Sequence, residues 1–186
     1  MTYRIVVTTR VHPKKLTKEL SQLANILEGS NPKYSHIRRT FWAIVLQEFF
    51  RRVRRSYIAK SWGKEDDLGH RWNVLTKPWI KRKARPHKRH GVMLPAAKHP
   101  QARNRDTDDL LDSLSPGGLV GDAYNPPQGQ LVRRSQGRIT VGSLVDYAAK
   151  AFKNRDVFPP GVNRWVRESI TIAIRKITPL IAQMGS

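Results

Sequence analysis

Carboxylates and imidazoles are the side chains from which an active site would be built, and in this chain each type gathers in one place. Asp106, Asp108, Asp109 and Asp112 form the acidic cluster, and a nuclease could use such carboxylates to hold Mg²⁺. Asp106 and Asp108 precede the short helical run Leu110 to Leu114, where an acid caps the helix and complements its N-terminal dipole. Capping is the reading adopted. His87 and His90, with His99 nearby, lie among cations that disfavour both protonation and a bound divalent ion, and their spacing fits no zinc pattern. There is no Gly-rich phosphate loop and no Gly-x-Ser-x-Gly elbow, and Gly117, Gly118 and Gly121 read as loop punctuation. The expectation is a protein that is not an enzyme and has no catalytic residue, metal or cofactor.

Charge says more. The 186 residues carry 35 Lys and Arg against 14 Asp and Glu, a net charge of +21. Residues 1–105 hold 25 of the cations and 6 of the acids, so almost the whole excess lies in that part. Such a field attracts polyanions and speeds association without specifying a fold. Nucleic acid is the usual partner for such a bias, with an acidic protein neighbour as the rival.

Two clusters concentrate the charge. Arg51, Arg52, Arg54 and Arg55 bracket Val53 near the end of a predicted helix, with Arg51 and Arg55 stacked at i and i+4. Four side chains at 100° per residue wrap the last turns and cannot share one face. The macrodipole accounts for one or two of them, at about 0.3–1 kcal/mol each, leaving the others to solvent, phosphate or a carboxylate-rich partner. The second cluster is a basic arm at residues 76–105, which contains ten Lys and Arg and no acid. Within it Lys81, Arg82, Lys83, Arg85, Lys88 and Arg89 repel one another, and Pro78, Pro86, Pro95 and Pro100 discourage a continuous helix. The arm reads as a long loop ordered on assembly, against a neighbouring subunit, DNA or both.

The elements that must carry these clusters follow from periodicity. Residues 2–9, TYRIVVTT, read as a strand; Leu16, Leu20, Leu23 and Leu27 give a short amphipathic helix with Thr17 as N-cap. After the break at residues 29–32, residues 34–60 form a longer helix through Ile37, Phe41, Ile44, Val45, Phe49, Val53 and Tyr57. Trp42, Leu46 and Phe50 widen its apolar stripe, which means either a subunit contact or a helix buried on two sides. Residues 130–134 and 137–145 form a hairpin, and residues 119–123 are a further strand candidate. Pro159-Pro160-Gly161 and Asn163 open a closing helix over 165–184, striped by Val166, Ile170, Ala173, Ile174, Ile177 and Ile181 and expected to pack on the sheet. Pro179 should kink or end it. The predicted fold is a single α+β domain over 1–186: a small, mainly antiparallel sheet covered by N-terminal helices and a C-terminal helix, with the basic arm at 76–105. Cysteine is absent, and no apolar run approaches the roughly 18 residues that span a bilayer. A site of synthesis and use in the cytoplasm, with no membrane partner, is expected.

One stretch ties these pieces together. Residues 137–161, GRITVGSLVDYAAKAFKNRDVFPPG, place in fixed order a strand, the aromatic anchor Tyr147 beside Ala148 and Ala149, the turn-tolerant Asn154, and Phe158 before a Pro-Pro-Gly stop. This resembles phage virion morphogenesis proteins, the Mu-type tail-completion family. The resemblance continues upstream in the same order: Gly69 to Leu75 with Trp72, Leu75, Ile80 and Lys83, then LLDSLSP at 110–116, and a helix ending in Phe49-Phe50 before them. The family often has His and Gly where this chain has Ala151 and Asn154. The resemblance implies a structural virion protein at the head-tail junction or the head-proximal end of the tail, as tail completion, terminator or connector, present in the host cytoplasm during assembly. It also implies a ring of copies of itself, six in the family's setting, with neighbouring neck proteins, tail tube or sheath proteins and the packaged DNA as partners. Trp42, Phe50, Trp72, Leu75, Tyr147, Asn154 and Phe158 are then the interface or motif residues. A nucleic-acid module that grips duplex backbone without reading sequence is the alternative.

Overall fold

The wide apolar stripe along the run of residues 34–60 dictates the architecture. In the computed structural model, which describes residues 5–7, 25–27, 31–89, 92–103, 108–135, 138–146, 148, 152 and 157–185, this run is helix α1, Ser35–Ser61. A 3-10 turn at Pro32–Tyr34 leads into it, with the Asn31 side chain accepting from the Lys33 amide at 2.9 Å. Its exit is equally defined. Gly63 takes a left-handed φ of 71°, its amide bonds to the Lys60 carbonyl and the Lys64 amide to that of Ala59. These paired bonds are a Schellman stop. A Cβ at Gly63 would also lie 2.5 Å from Val74 Cγ1, so a larger residue fails there on two counts.

The wide stripe of α1 resolves as burial on two sides of one chain. One side, with Ile37, Phe41, Ile44 and Val45, packs on helix α4, Asn163–Gly185, through Ala173 and Ile177. The other side, with Leu46, Phe49, Phe50, Val53 and Tyr57, meets Trp72, Leu110, Leu111, Leu114, Tyr124, Val141 and Trp165. Helix α4 therefore seats its stripe chiefly on α1, and not on the sheet as its periodicity alone suggested. It also runs through Pro179 to Gly185. Pro179 and Arg175 are both exposed, so the carbonyl deprived of its partner faces water, and the helix continues.

Strands β1 (Ile5–Val7), β7 (Arg138–Ser143) and β6 (Gln130–Ser135) form an antiparallel sheet in that spatial order. β7 is central, with Ile5 opposite Val141 on one side and Val132 opposite Val141 on the other. The 119–123 strand is not its fourth member. That segment folds on itself as β4 (Gly118–Val120) and β5 (Ala123–Asn125), turning at Gly121 and Asp122, as a separate hairpin. The hairpin packs on α1, with the Tyr124 ring against Phe50, and the short helix α3, Asp109–Ser113, precedes it in the chain.

The basic segment also departs from expectation. Far from one long loop, it holds helix α2 (Lys77–Lys83) and a hairpin of β2 (His87–Arg89) with β3 (Val92–Leu94). Pro78 is at the helix start, where its missing amide costs nothing, and Pro86 follows its end. The segment then returns to the body, since the Arg103 amide bonds to the Ser61 carbonyl at 2.8 Å. The result is a mixed α+β fold, with no helix among the described residues long and apolar enough to cross a membrane.

Candidate functional site

At the last turns of α1 the four arginines separate, as a helical wheel requires. Arg52 points toward α4, with Nη1 2.6 Å from Glu168 Oε2 and 3.8 Å from Asp67. Arg51, Arg54 and Arg55, with Ile58 and Pro116, line a cleft of about 260 Å³.

Two of the three arginines are held from behind. Arg51 Nη1 donates to Glu48 Oε2 at 2.6 Å, and the buried Glu48 also receives Lys176 Nζ at 3.3 Å from α4. Arg54 Nε donates to Ser115 Oγ at 3.0 Å, while that hydroxyl's own proton goes to the Leu111 carbonyl. Ser115 is thus fixed as an acceptor for the guanidinium. Arg55 makes no hydrogen bond or ion pair among the described residues. Its charge is uncompensated in a surface that already carries two others.

Behind Pro116 is a buried polar network. Tyr124 Oη accepts from the Gly117 amide at 2.8 Å and donates to Gln130 Oε1 at 2.7 Å; Gln130 Nε2 bonds the Ser113 and Ser115 carbonyls. Burial pushes the Tyr124 phenol up to about 12, against the opposing effect of those two bonds. The bend at residues 115–117 is fixed as tightly from the chain side: a Cβ on Gly117 would lie 2.2 Å from the Asn125 carbonyl oxygen.

The second basic surface is α2 and the hairpin after it. Lys81, Arg82, Arg85 and Lys88 are exposed. Arg82 Nη2 bonds the Lys88 carbonyl at 2.9 Å and its guanidinium lies 5.0 Å from the centre of the Trp79 ring, itself half exposed. Lys83 corrects the expectation of a uniformly solvated arm. It is 5% exposed and its Nζ donates to the Ala102 carbonyl at 2.6 Å, because the chain beyond the hairpin folds back across the end of α2. Arg89 falls in β2.

Two of the seven interface or motif residues, Phe50 and Trp72, are core. Phe50 is fully buried, its ring stacked on Tyr124 at 6.4 Å. Trp72 is 7% exposed and meets Tyr57 edge-on at 5.2 Å. Phe158 stacks on Phe49 at 6.1 Å. Trp42 is half-buried against the α1–α4 contact, and Leu75 is half-buried. Large aromatics were conspicuous in the sequence because the monomer packs around them, so Phe50 and Trp72 are unavailable to a second subunit. Tyr147, Asn154, His90 and Asp106 lie outside the described residues.

The other chemistry-bearing groups do not converge. Among the described residues no three His, Asp or Glu side chains sit as metal ligands would. Asp108 precedes α3 in a left-handed conformation (φ 64°) and makes no side-chain cap bond to it, while the other cap candidate, Asp106, lies outside the described residues; Asp109 and Asp112 lie in the first turn, where they complement the dipole. A feature without a signature in the sequence is the fully buried Lys60, whose Nζ is 3.6 Å from Asp66 Oδ2 and 5.3 Å from the centre of the Trp72 ring. Burial pushes the Asp66 carboxyl up. The Ser56 hydroxyl, the His70 and Leu68 amides and Lys60 more than offset this and hold it below its ordinary value. This is a structural hub that closes the turn after α1.

The arrangement as a whole can bind anions. Comparison with protein-family models, with curated proteins and with solved structures returned no match for this chain.

Proposed function

We propose that this protein is a non-enzymatic structural subunit of a tailed-phage virion, working in a ring at the head-tail junction or the head-proximal end of the tail. The ordered resemblance of four segments to the tail-completion family motivates the setting. The observation that carries the functional part is the outward-facing charge of Arg55, Lys81, Arg85 and Lys88, which has no counter-charge within the described fold. A surface of that kind is completed by a negatively charged neighbour. Closed rings repeat a heterologous contact by rotation, so a neighbouring subunit or neck protein supplies that counter-surface. Gradient-purified particles analysed by mass spectrometry should contain the protein at a level comparable with other neck components. Its presence in infected cells with only trace amounts in particles would overturn the reading.

A second reading draws support from the pairing of Arg82 with the half-exposed Trp79 on a cationic helix. Aromatic faces interleaved with cations suit a nucleic-acid strand. On that reading duplex binding falls steeply with salt, by about 0.9 log units of affinity per log unit of salt for each neutralised phosphate. A structural subunit that docks on protein binds DNA weakly and without that slope.

A further inference from the structure

The cleft at the end of α1 differs in kind from the α2 surface. The α2 cations stand on an exposed helix and hairpin. Those of the cleft surround a concavity of about 260 Å³ with two apolar walls, Ile58 and Pro116. Nucleic-acid backbone is gripped by cations spread along a surface, and nothing in it calls for an apolar wall. A carboxylate side chain beside an aliphatic one calls for both. Arg54 is already oriented by Ser115 and Arg51 by Glu48, so a ligand bound between them costs little further rotamer freedom.

We propose that the cleft of Arg51, Arg54, Arg55, Ile58 and Pro116 is a docking site for an acidic peptide segment of a partner protein, one in which Glu or Asp adjoins an aliphatic residue. The carboxylate accepts from Arg54 and from Arg55, the one cation there that lacks an internal partner, and the aliphatic group rests on Ile58 and Pro116. The proposal deepens the structural-subunit reading, since it names the chemistry of the neighbour that reading requires.

The test uses the full chain and a short fluorescein-labelled peptide of alternating Glu and Leu, followed by fluorescence anisotropy at moderate salt. The control peptide carries Gln for Glu, and labelled duplex DNA is a third probe. Arg55→Gln, at a side chain with no internal bond, should weaken the Glu peptide about tenfold, as loss of one charge-assisted contact does. R54Q/R55Q should bring it to the level of the Gln peptide. Lys81→Ser with Arg82→Ser should leave it within about twofold of wild type. Circular dichroism confirms that each variant is folded. Equal binding of the two peptides overturns the proposal, as does R54Q/R55Q binding like wild type. DNA binding that is lost in R54Q/R55Q and retained in K81S/R82S would reassign the cleft to nucleic acid. The virion measurement is separate: absence from particles would remove the phage setting while peptide binding kept the cleft's assignment, and the reverse pair of results would do the opposite.

Discussion

Arg52 of α1 and Glu168 of α4 meet at 2.6 Å, and Glu168 also accepts from Arg164 at 2.8 Å one turn earlier. The Arg164 bond, with Arg52 beside it, holds the Glu168 carboxyl below its usual range. Asp67 joins the same corner by accepting from Trp165 Nε1 at 3.1 Å. The last turns of α1 and the turn after it are thereby tied at one point to the distant start of α4.

The contribution of that corner should be modest, because Glu168 is about a third exposed and screened by solvent. Glu168→Gln is expected to lower unfolding free energy by about 1 kcal/mol. Urea denaturation at low and high salt checks this, and the difference from wild type should shrink as salt rises.

Asp66 should behave differently, because both it and Lys60 are buried. Asp66→Asn removes a carboxylate from beside a buried ammonium and is expected to cost about 3–5 kcal/mol. The folded-state carboxyl titrates below its ordinary value of 3.8, so its stabilisation is complete above that value and is lost as pH falls through the folded pKa. Thermal melts in the acid range should show wild type losing stability more steeply than D66N. Parallel acid profiles would mean that the pair does not govern acid unfolding.

Tyr124→Phe removes one hydroxyl that serves two buried partners, the Gly117 amide and Gln130. The expected loss is about 1–3 kcal/mol, from leaving those groups unpaired. Spectrophotometric titration provides a second readout: the phenol of Tyr124 should ionise only near pH 12, and that step should vanish in Y124F.

Replacing Lys81, Arg82, Arg85, Lys88 and Arg89 by Ser should leave the melting temperature nearly unchanged while impairing the joining of heads to tails. Adding Lys83→Ser should destabilise the protein as well, because Lys83 donates to Ala102 from a buried position. Infectious particles at normal yield from the five-residue variant would show that this surface is a solvated face.

The long helix was legible because its stripe is local: Ile37 to Tyr57 repeat at steps of three and four whatever surrounds them. The hairpin of β6 and β7 was legible for the same reason. What a stripe cannot tell is which surface it meets, and α4 was assigned to the sheet when its isoleucines fit α1. Charged residues were misread where tertiary contacts override their usual exposure. Lys60 and Lys83 look like any helix-end lysines, and only the chain returning at Asp66 and Ala102 buries them. Pro78 and Pro86 were taken as obstacles to helix, yet they bound one. The arginine cluster was half legible, since the wheel separates four residues but does not say that Glu168 lies on one side and Pro116 on the other.

At 27 residues, α1 is a rod of about 40 Å whose middle is clamped on both sides, with Arg39 paired to Asp122 near one end and the arginine cleft at the other. Such a rod has no joint along its length, so two partners gripping its ends are held at one separation and one angle. The setting is quantised by the pitch: an insertion of a single residue in its middle would swing one grip about 100° past the other, whereas inserting a full turn would nearly restore the angle and only lengthen the gap.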